Sequence, residues 1–370
     1  MKIGINCRIL NKRHGGPKRF SLNLIKALIK IDKKNTYYLI LDKDFEFPFK
    51  LPKKFKKINL KTKSILIFEY LNLPLFTYKE KIDYLILPNL TFAPYLKSKK
   101  LPVFHDIIYF EKDQKREFRF FDNLHNKIMI SICKKLSSSN LCVSEFTESR
   151  VKDILGLKKT EVIGEGVEDS FKPITNKKKL NKIIKKYNLK VPFIFYIGSL
   201  SPRKNIKRLI FAFDSIKNEI PHNLYLFGGY SWLDKDIKEL LNQEKYKDRV
   251  FKKGFIEEED LPALYSLSTC FIYPSLYEGF GLPILEAQAC GCPVISSNTT
   301  SIPEVGGNSI YFINPYNEDE IAKAILNITK DKKLREELIK KGYKNIKRFS
   351  WEKTARKVLN ACKKIEKNDL

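Results

Sequence analysis

Residues 270–297 read CFIYPSLYEGFGLPILEAQACGCPVISS, and the order of residue types along them decides the fold class. Cys270–Tyr273 is a short apolar and aromatic run suited to a buried strand, and Val294–Ser296 is a second. Between them Pro283 suits a first helical turn, where its missing N–H would have no partner anyway, and Gly291 with Pro293 stops the helix. The spacing therefore predicts a helix near Leu282–Ala289. Strand, helix, strand in this order predicts a parallel sheet covered by helices.

The same rhythm runs through the rest of the chain. Strands are expected at Lys2–Cys7, Tyr37–Leu41, Tyr84–Leu87, Val103–Phe104 and Asn140–Val143, with helices near Arg19–Ile31 and after Ser144. In residues 115–136, Phe118, Phe121, Leu124, Ile128, Ile132 and Leu136 recur every three or four positions, which predicts a helix with one core-facing stripe and a basic back. The composition then shifts at ITNKKKLNKIIKKYNLK, residues 174–190. Beyond it the rhythm restarts with strands at Phe193–Ile197, Asn223–Phe227, Arg249–Lys252 and Ile310–Phe312. The fold class is α/β, with two Rossmann-like domains at 1–173 and 190–349 joined by the lysine-rich segment.

The chain has 370 residues, enough for two domains, and 43% of them are apolar. Its unusual quantity is a formal charge of +28. Residues 1–170 hold 34 basic and 19 acidic side chains and residues 171–190 add eight lysines with no acid, so the excess sits in the first half and the linker. Such a charge suits an anionic membrane, a phosphorylated substrate or nucleic acid, and is also what a solvated surface carries. No zinc-finger spacing, RNP signature or helix-turn-helix accompanies it, so nucleic acid is not expected as a partner. Seven scattered cysteines without C-x-x-C spacing read as reduced, buried thiols of a cytoplasmic protein, and no metal is expected at Cys290-Gly291-Cys292. Apolar runs stay far below the roughly 18 residues of a membrane span, so any membrane contact is peripheral.

Four stretches carry chemistry. In YEGFGLPILE, residues 277–286, the glycine pair leads into a helix whose first N–H groups and dipole make an anion site, with Gly281 and Leu282 at its mouth. Glu286 lies about one turn inside, placed to accept two ribose hydroxyl protons, and Glu278 precedes the helix. The plain alternative is two surface glutamates near a helix start, where negative charge is favoured anyway. In GSLSPRKN, residues 198–205, Arg203 and Lys204 offer a planar fork and a point charge at a strand-to-helix turn, a pairing that suits a diphosphate. Gly15-Gly16 opens the first helix and lets a phosphate approach its backbone closely, although a lone Gly-Gly is often only a turn. His105-Asp106 ends an apolar strand, where it could polarise an acceptor or merely bond within its own loop.

Taken together, GGPKRFSLNLIKAL, VFHDIIYF, LCVSEFTESRV, IGSLSPRKNIKRLI, KKGFIEEEDLPALY and YPSLYEGFGLPILEAQACGCPVISSNTTSIPEVGG resemble, in family order over nearly the whole chain, the family 4 glycosyltransferases. The resemblance implies the GT-B architecture, two facing Rossmann-like domains with the C-terminal helix, residues 350–370, crossing back onto the first. It implies a retaining enzyme that moves a hexose, mannose or glucose among the candidates, from a nucleoside-diphosphate sugar to a glycan or lipid-linked acceptor without a metal or other cofactor.

By the same resemblance Glu286 binds ribose, Glu278 contacts the donor sugar, and Arg203 and Lys204 hold the diphosphate with the Gly281 and Leu282 N–H groups. Phe255 offers its backbone to the nucleobase, Gly16 closes on the phosphates, and His105 lines the acceptor side, with Glu278 and His105 the catalytic candidates. One departure is Ser199, where many members carry arginine. A cytoplasmic enzyme at the inner face of the membrane follows. A nucleic-acid-binding protein and a GT-B epimerase or phosphorylase are the alternatives.

Overall fold

The structure, a computed structural model, describes residues 1–11, 15–89, 96–111, 120–229 and 235–368. The chain divides into two compact units, 1–166 with 350–370, and 167–349.

The first unit begins β1 (Lys2–Asn6), α1 (Gly16–Ile31), β2 (Thr36–Leu41) and β3 (Phe55–Asn59). A helical run follows as α2 (Ile65–Ile67), a π turn at Phe68–Asn72 and α3 (Leu73–Lys79). Then come β4 (Tyr84–Leu87), β5 (Lys99–Phe104), α4 (Phe120–Leu136), β6 (Asn140–Cys142), α5 (Glu145–Leu155) and β7 (Thr160–Val162). Among the described residues the strands form one parallel sheet in the order β3-β2-β1-β4-β5-β6-β7. β1 sits inside it, with Ile3 in register with Tyr37 on one side and Tyr84 on the other. Such central strands are covered on both faces, which is why Ile3, Ile5, Leu39, Ile40 and Leu85 are all buried.

The stripe expected on α4 needs correction. Phe118 and the side chain of Phe121 lie outside the described residues. Leu124 and Ile128 are exposed, while Met129, Ile130 and Cys133 are buried in the core, and Ile132 and Leu136 only lean on it. The cause is helical pitch: four residues turn a helix roughly 40° past a full circle, so a row spaced by fours winds away from any fixed neighbour.

The second unit opens with α6 (Lys177–Tyr187) and β8 (Phe193–Ile197), so the lysine-rich stretch set apart by composition is a helix of this unit. The Asn176 side chain caps it by accepting from Lys179 N–H, and Asn188 closes it in a left-handed conformation. Ile183 is buried beneath it, and Tyr187 donates to Asp260 at 2.8 Å, while the lysines occupy its solvent face.

The unit continues with α7 (Ile206–Ile216), β9 (Asn223–Phe227), α8 (Lys235–Asn242), α9 (Glu244–Lys247), β10 (Val250–Gly254), α10 (Leu261–Leu267) and β11 (Cys270–Tyr273). After these come α11 (Leu282–Ala289), β12 (Val294–Ser297), α12 (Ile302–Gly306), β13 (Tyr311–Ile313), α13 (Glu318–Lys330) and α14 (Lys332–Asn345). The described strands are again parallel, ordered β10-β9-β8-β11-β12-β13. Aromatic side chains fill the sheet: Phe195 meets Phe271 and Tyr265 at 5.2 Å between ring centres and Phe227 at 6.2 Å. At the carboxyl ends β8 and β9 approach so closely that a Cβ on Gly228, whose φ is +134°, would fall 1.8 Å from the Gly198 carbonyl oxygen.

The last helix, α15 (Trp351–Asn368), belongs to the first unit and packs along α1. Lys30 bridges to Glu352 at 2.5 Å, and the rings of Phe20 and Trp351 meet edge to face at 5.7 Å.

Candidate active site

The strand order of the second unit reverses between β8 and β11, and open parallel sheets bind ligands outside the carboxyl ends of the strands at such a point. Two loops leave those ends, residues 198–205 and 274–281. They are joined through the backbone, where Leu276 N–H donates to the Arg203 carbonyl at 2.7 Å.

The 198–205 loop ends in a short 3₁₀ turn, Pro202–Lys204, and Asn205 reverses it in a left-handed conformation. The Asn205 amide donates to the Pro315 carbonyl at 2.6 Å and its oxygen accepts from Arg208 at 3.1 Å. So anchored, Lys204 is buried and donates to the Glu278 carboxylate and, at 2.9 Å, to the Tyr273 hydroxyl. Arg203 donates to the second Glu278 oxygen at 3.3 Å and to the Tyr277 carbonyl at 3.0 Å. The loop carrying Glu278 is fixed in turn: its N–H donates to Thr300 Oγ1 at 3.2 Å, and the Ser301 hydroxyl faces the carbonyls of Glu278 and Phe280 at 3.0 and 2.9 Å.

Glu278 is thus a buried anion between two cations. Burial by itself would raise its carboxyl pKa, but the Lys204 charge and then the Arg203 charge outweigh it and hold the group at about 2. The Tyr273 phenol is pushed well above its usual range, first by burial and then by the Glu278 charge. Glu278 therefore stays ionised at any working pH and has no proton to give. A depressed folded-state pKa contributes stability that is complete above the unfolded value of about 4.5 and is lost as pH falls toward about 2. Acid titration followed by circular dichroism is expected to show the wild type losing more stability across that window than Glu278→Gln, which keeps only the loss due to other depressed carboxylates such as Asp32 and Glu148. Parallel curves for the two proteins would refute this account of Glu278.

Gly281 caps α11 with φ +106°, in the left-handed region that glycine favours, and Leu282 is the first helical residue. Glu286 lies one turn inside but is 2% exposed, and one of its oxygens accepts from the Tyr265 hydroxyl at 3.3 Å. The reading of two surface glutamates thus fails for both, since Glu278 and Glu286 are each buried. They face different partners: Glu278 the two cations, Glu286 a tyrosine of α10. Phe255 follows β10 and is exposed, with its ring over Gly229, where a Cβ would come within 2.8 Å of it. Leu200 N–H donates to the Gly229 carbonyl at 3.0 Å, tying this corner to the 198–205 loop.

In the first unit the strand order reverses between β1 and β4. Gly16 begins α1 with open space around its Cα, since a Cβ there would meet nothing within 4 Å. His105 follows β5 and its Nε2 faces the Pro88 carbonyl at 3.1 Å, which requires a proton on that nitrogen. Its Nδ1 faces a Glu165 oxygen at 3.6 Å, and the Phe20 ring packs edge-on against it at 5.0 Å, linking it to α1. Asp106 accepts from Ile108 N–H at 3.3 Å and so shapes its own turn.

Sequence reasoning missed Tyr273, Tyr265, Thr300 and Ser301. The two tyrosines look like ordinary aromatics of a strand and a helix, and only tertiary packing brings their hydroxyls to the glutamates. The Ser-Asn-Thr-Thr-Ser run at 297–301 signals a loop without saying which carbonyls it braces.

Two Rossmann-like units, the second gathering a cationic pair and a helix start at its switch point, define a fold suited to a phosphorylated ligand. The family described as "Glycosyl transferases group 1" matches residues 177–345, all within the second unit. The O-antigen chain mannosyltransferase B of Escherichia coli is 32% identical over 285 residues, covering 75% of this chain and 73% of that protein. The structure of sucrose-phosphate synthase from Thermosynechococcus elongatus superposes with a TM-score of 0.78 over 99% of each chain at 19% identity. Anabaena HepE, solved in complex with UDP and glucose, gives 0.73 at 18% identity over 97% of this chain and 98% of that one. The chain belongs to the group 1 glycosyltransferases, with the two Rossmann-like domains of the GT-B class.

Proposed function

We propose that this glycosyltransferase moves a hexosyl group, mannosyl foremost, from a nucleoside-diphosphate sugar to a glycan or lipid-linked acceptor at an anionic membrane face, with retention of anomeric configuration. The observation that carries it is the Lys204–Glu278–Arg203 cluster beside the α11 start at the switch point. Mannose is favoured by the 32% identity to a mannosyltransferase, and glucose is the next candidate.

The chemistry follows from charge. As the bond from the anomeric carbon to the β-phosphate oxygen breaks, negative charge gathers on the departing diphosphate. Arg203, Lys204 and the N–H groups at Gly281 and Leu282 stabilise it there, so transfer needs no divalent metal. In the free protein Glu278 neutralises one of the two cations. Donor binding turns them toward the phosphates and releases a carboxylate oxygen to a sugar hydroxyl. The acceptor oxygen bonds the anomeric carbon from the face the phosphate leaves, and its proton passes to the departing phosphate oxygen. Glu286 holds the ribose hydroxyls and the Phe255 backbone the nucleobase. In the first unit the Gly16 N–H serves a phosphate and His105 an acceptor hydroxyl.

The test incubates purified protein with UDP-, GDP- and ADP-hexoses, with and without a chelator, and follows slow donor hydrolysis. One donor is expected to turn over equally in both conditions, and Glu286→Ala is expected to weaken its nucleotide about tenfold or more, as loss of hydrogen bonds to a charged group does. If no donor is cleaved and Glu286→Ala leaves affinity unchanged, the site reading falls. A transferred product of inverted configuration overturns retention.

A further inference from the structure

The helical run from Ile65 to Lys79 presents an apolar face to solvent. Phe68, Glu69, Leu73 and Thr77 point inward, and Glu69 is paired with Arg8 at 2.9 Å. On the opposite side Ile67, Leu71, Leu75 and Tyr78 follow one another at helical spacing and, with Ile65 and Leu66, are 48% to 62% exposed. Soluble surfaces rarely leave so continuous an apolar stripe uncovered. The run packs on α4 through its covered side, where Tyr70 of the π turn donates to the Sδ of the buried Met129 at 3.7 Å, and α4 itself exposes Leu124 and Ile128.

The charges around the stripe identify what covers it. Lys61 and Lys63 precede the helix, Lys79 ends it and Lys81 follows, and all four are exposed. The Lys97 ammonium lies 4.5 Å from the centre of the Tyr78 ring. Glu69, the one acid among residues 65–79, is buried on Arg8 and takes no part; Glu80 and Asp83 lie beyond the helix end. An apolar stripe with cations at both ends matches a bilayer surface, where the side chains enter the acyl boundary and the lysines meet anionic headgroups. A second copy of the chain would instead bring these lysines against one another. The run is also too short to cross: no helix among the described residues is long and apolar enough to span a membrane.

We infer that the 65–79 helix docks this protein, lying flat, on an anionic lipid bilayer. This rests only on the membrane part of the proposal above and not on its donor chemistry, so the experiment is run without donor or acceptor.

The full chain is sedimented with phosphatidylcholine vesicles, with and without phosphatidylglycerol as a third of the lipid. Wild type is expected to partition onto the anionic vesicles, and Leu71→Lys with Leu75→Lys to lower that partition at least about tenfold, while raised salt weakens it. Both substituted positions face solvent, so the circular dichroism spectrum and the thermal unfolding midpoint should stay unchanged, which separates lost docking from lost folding. Lys61→Ser with Lys63→Ser should reduce the preference for anionic over neutral vesicles. The proposal is overturned if wild type stays in solution, if the leucine variant binds like wild type, or if the vesicle charge makes no difference. It is equally overturned if light scattering finds a wild-type dimer that the leucine variant dissolves.

Discussion

Lys204→Ala is expected to lower kcat/KM for sugar transfer by about a hundredfold to a thousandfold, the usual cost of removing one preorganised charge-stabilising donor from a transition state. Lys204 is held buried by Glu278 and Tyr273 in the free protein and turns to the phosphates on donor binding, so its ammonium is already in place when the diphosphate gathers charge. Most of the loss should fall on kcat, because the charge it opposes grows as the glycosidic bond breaks. The substitution also leaves Glu278 buried with Arg203 alone, which costs stability on the order of 3 kcal/mol. Thermal unfolding therefore accompanies the kinetics, and they are measured well below the variant's midpoint. A folded variant with near-normal kcat and a raised KM would assign Lys204 to ground-state binding only.

Glu278→Gln should divide two quantities that a merely structural residue would move together. Without the carboxylate, Lys204 and Arg203 lose their internal counter-charge, so the free nucleoside diphosphate is expected to bind more tightly, by about tenfold. The same change removes the acceptor for the sugar hydroxyl, and kcat is expected to fall about a hundredfold. Titration calorimetry with the diphosphate and steady-state kinetics with the donor read the two separately. If affinity for the diphosphate drops along with kcat, Glu278 is a structural counter-ion and its role toward the sugar must be given up.

Much of this site was legible in the chain because it is built from local signals. Pro283 and Gly291 bracket α11, and Leu282–Ala289 forms as their positions predict. Phe193–Ile197, Asn223–Phe227 and Cys270–Tyr273 are strands over the expected residues, since fully buried parallel strands read as short apolar runs. Less legible were elements whose pattern is ambiguous or weak. Lys99–Phe104 begins with two lysines and contains a proline, so only its last two residues looked like a strand. In Phe55–Asn59 lysines interrupt the apolar residues, and Thr160–Val162 is only three residues long. Residues 174–190 read as a linker by composition, yet one buried isoleucine, two asparagine caps and a bridge to Asp260 make them a helix of the second unit.

By itself the sequence determined that this is an α/β protein of two Rossmann-like domains, that a helix start lies between Glu278 and Glu286, and that two cations stand at another strand end. These follow from periodicity, breakers and spacing, which act over a few residues. Only the tertiary structure decided that Arg203 and Lys204, more than seventy residues from Glu278, close on it, that Glu286 turns to Tyr265, and that the 65–79 helix leaves its leucines outside. The physical reason is that sheet order is chosen by packing the whole chain, and that order brings the ends of β8 and β11 together. Which face of a helix is covered likewise depends on the neighbour it meets, and an apolar stripe in the sequence does not say whether that neighbour is a sheet or a bilayer.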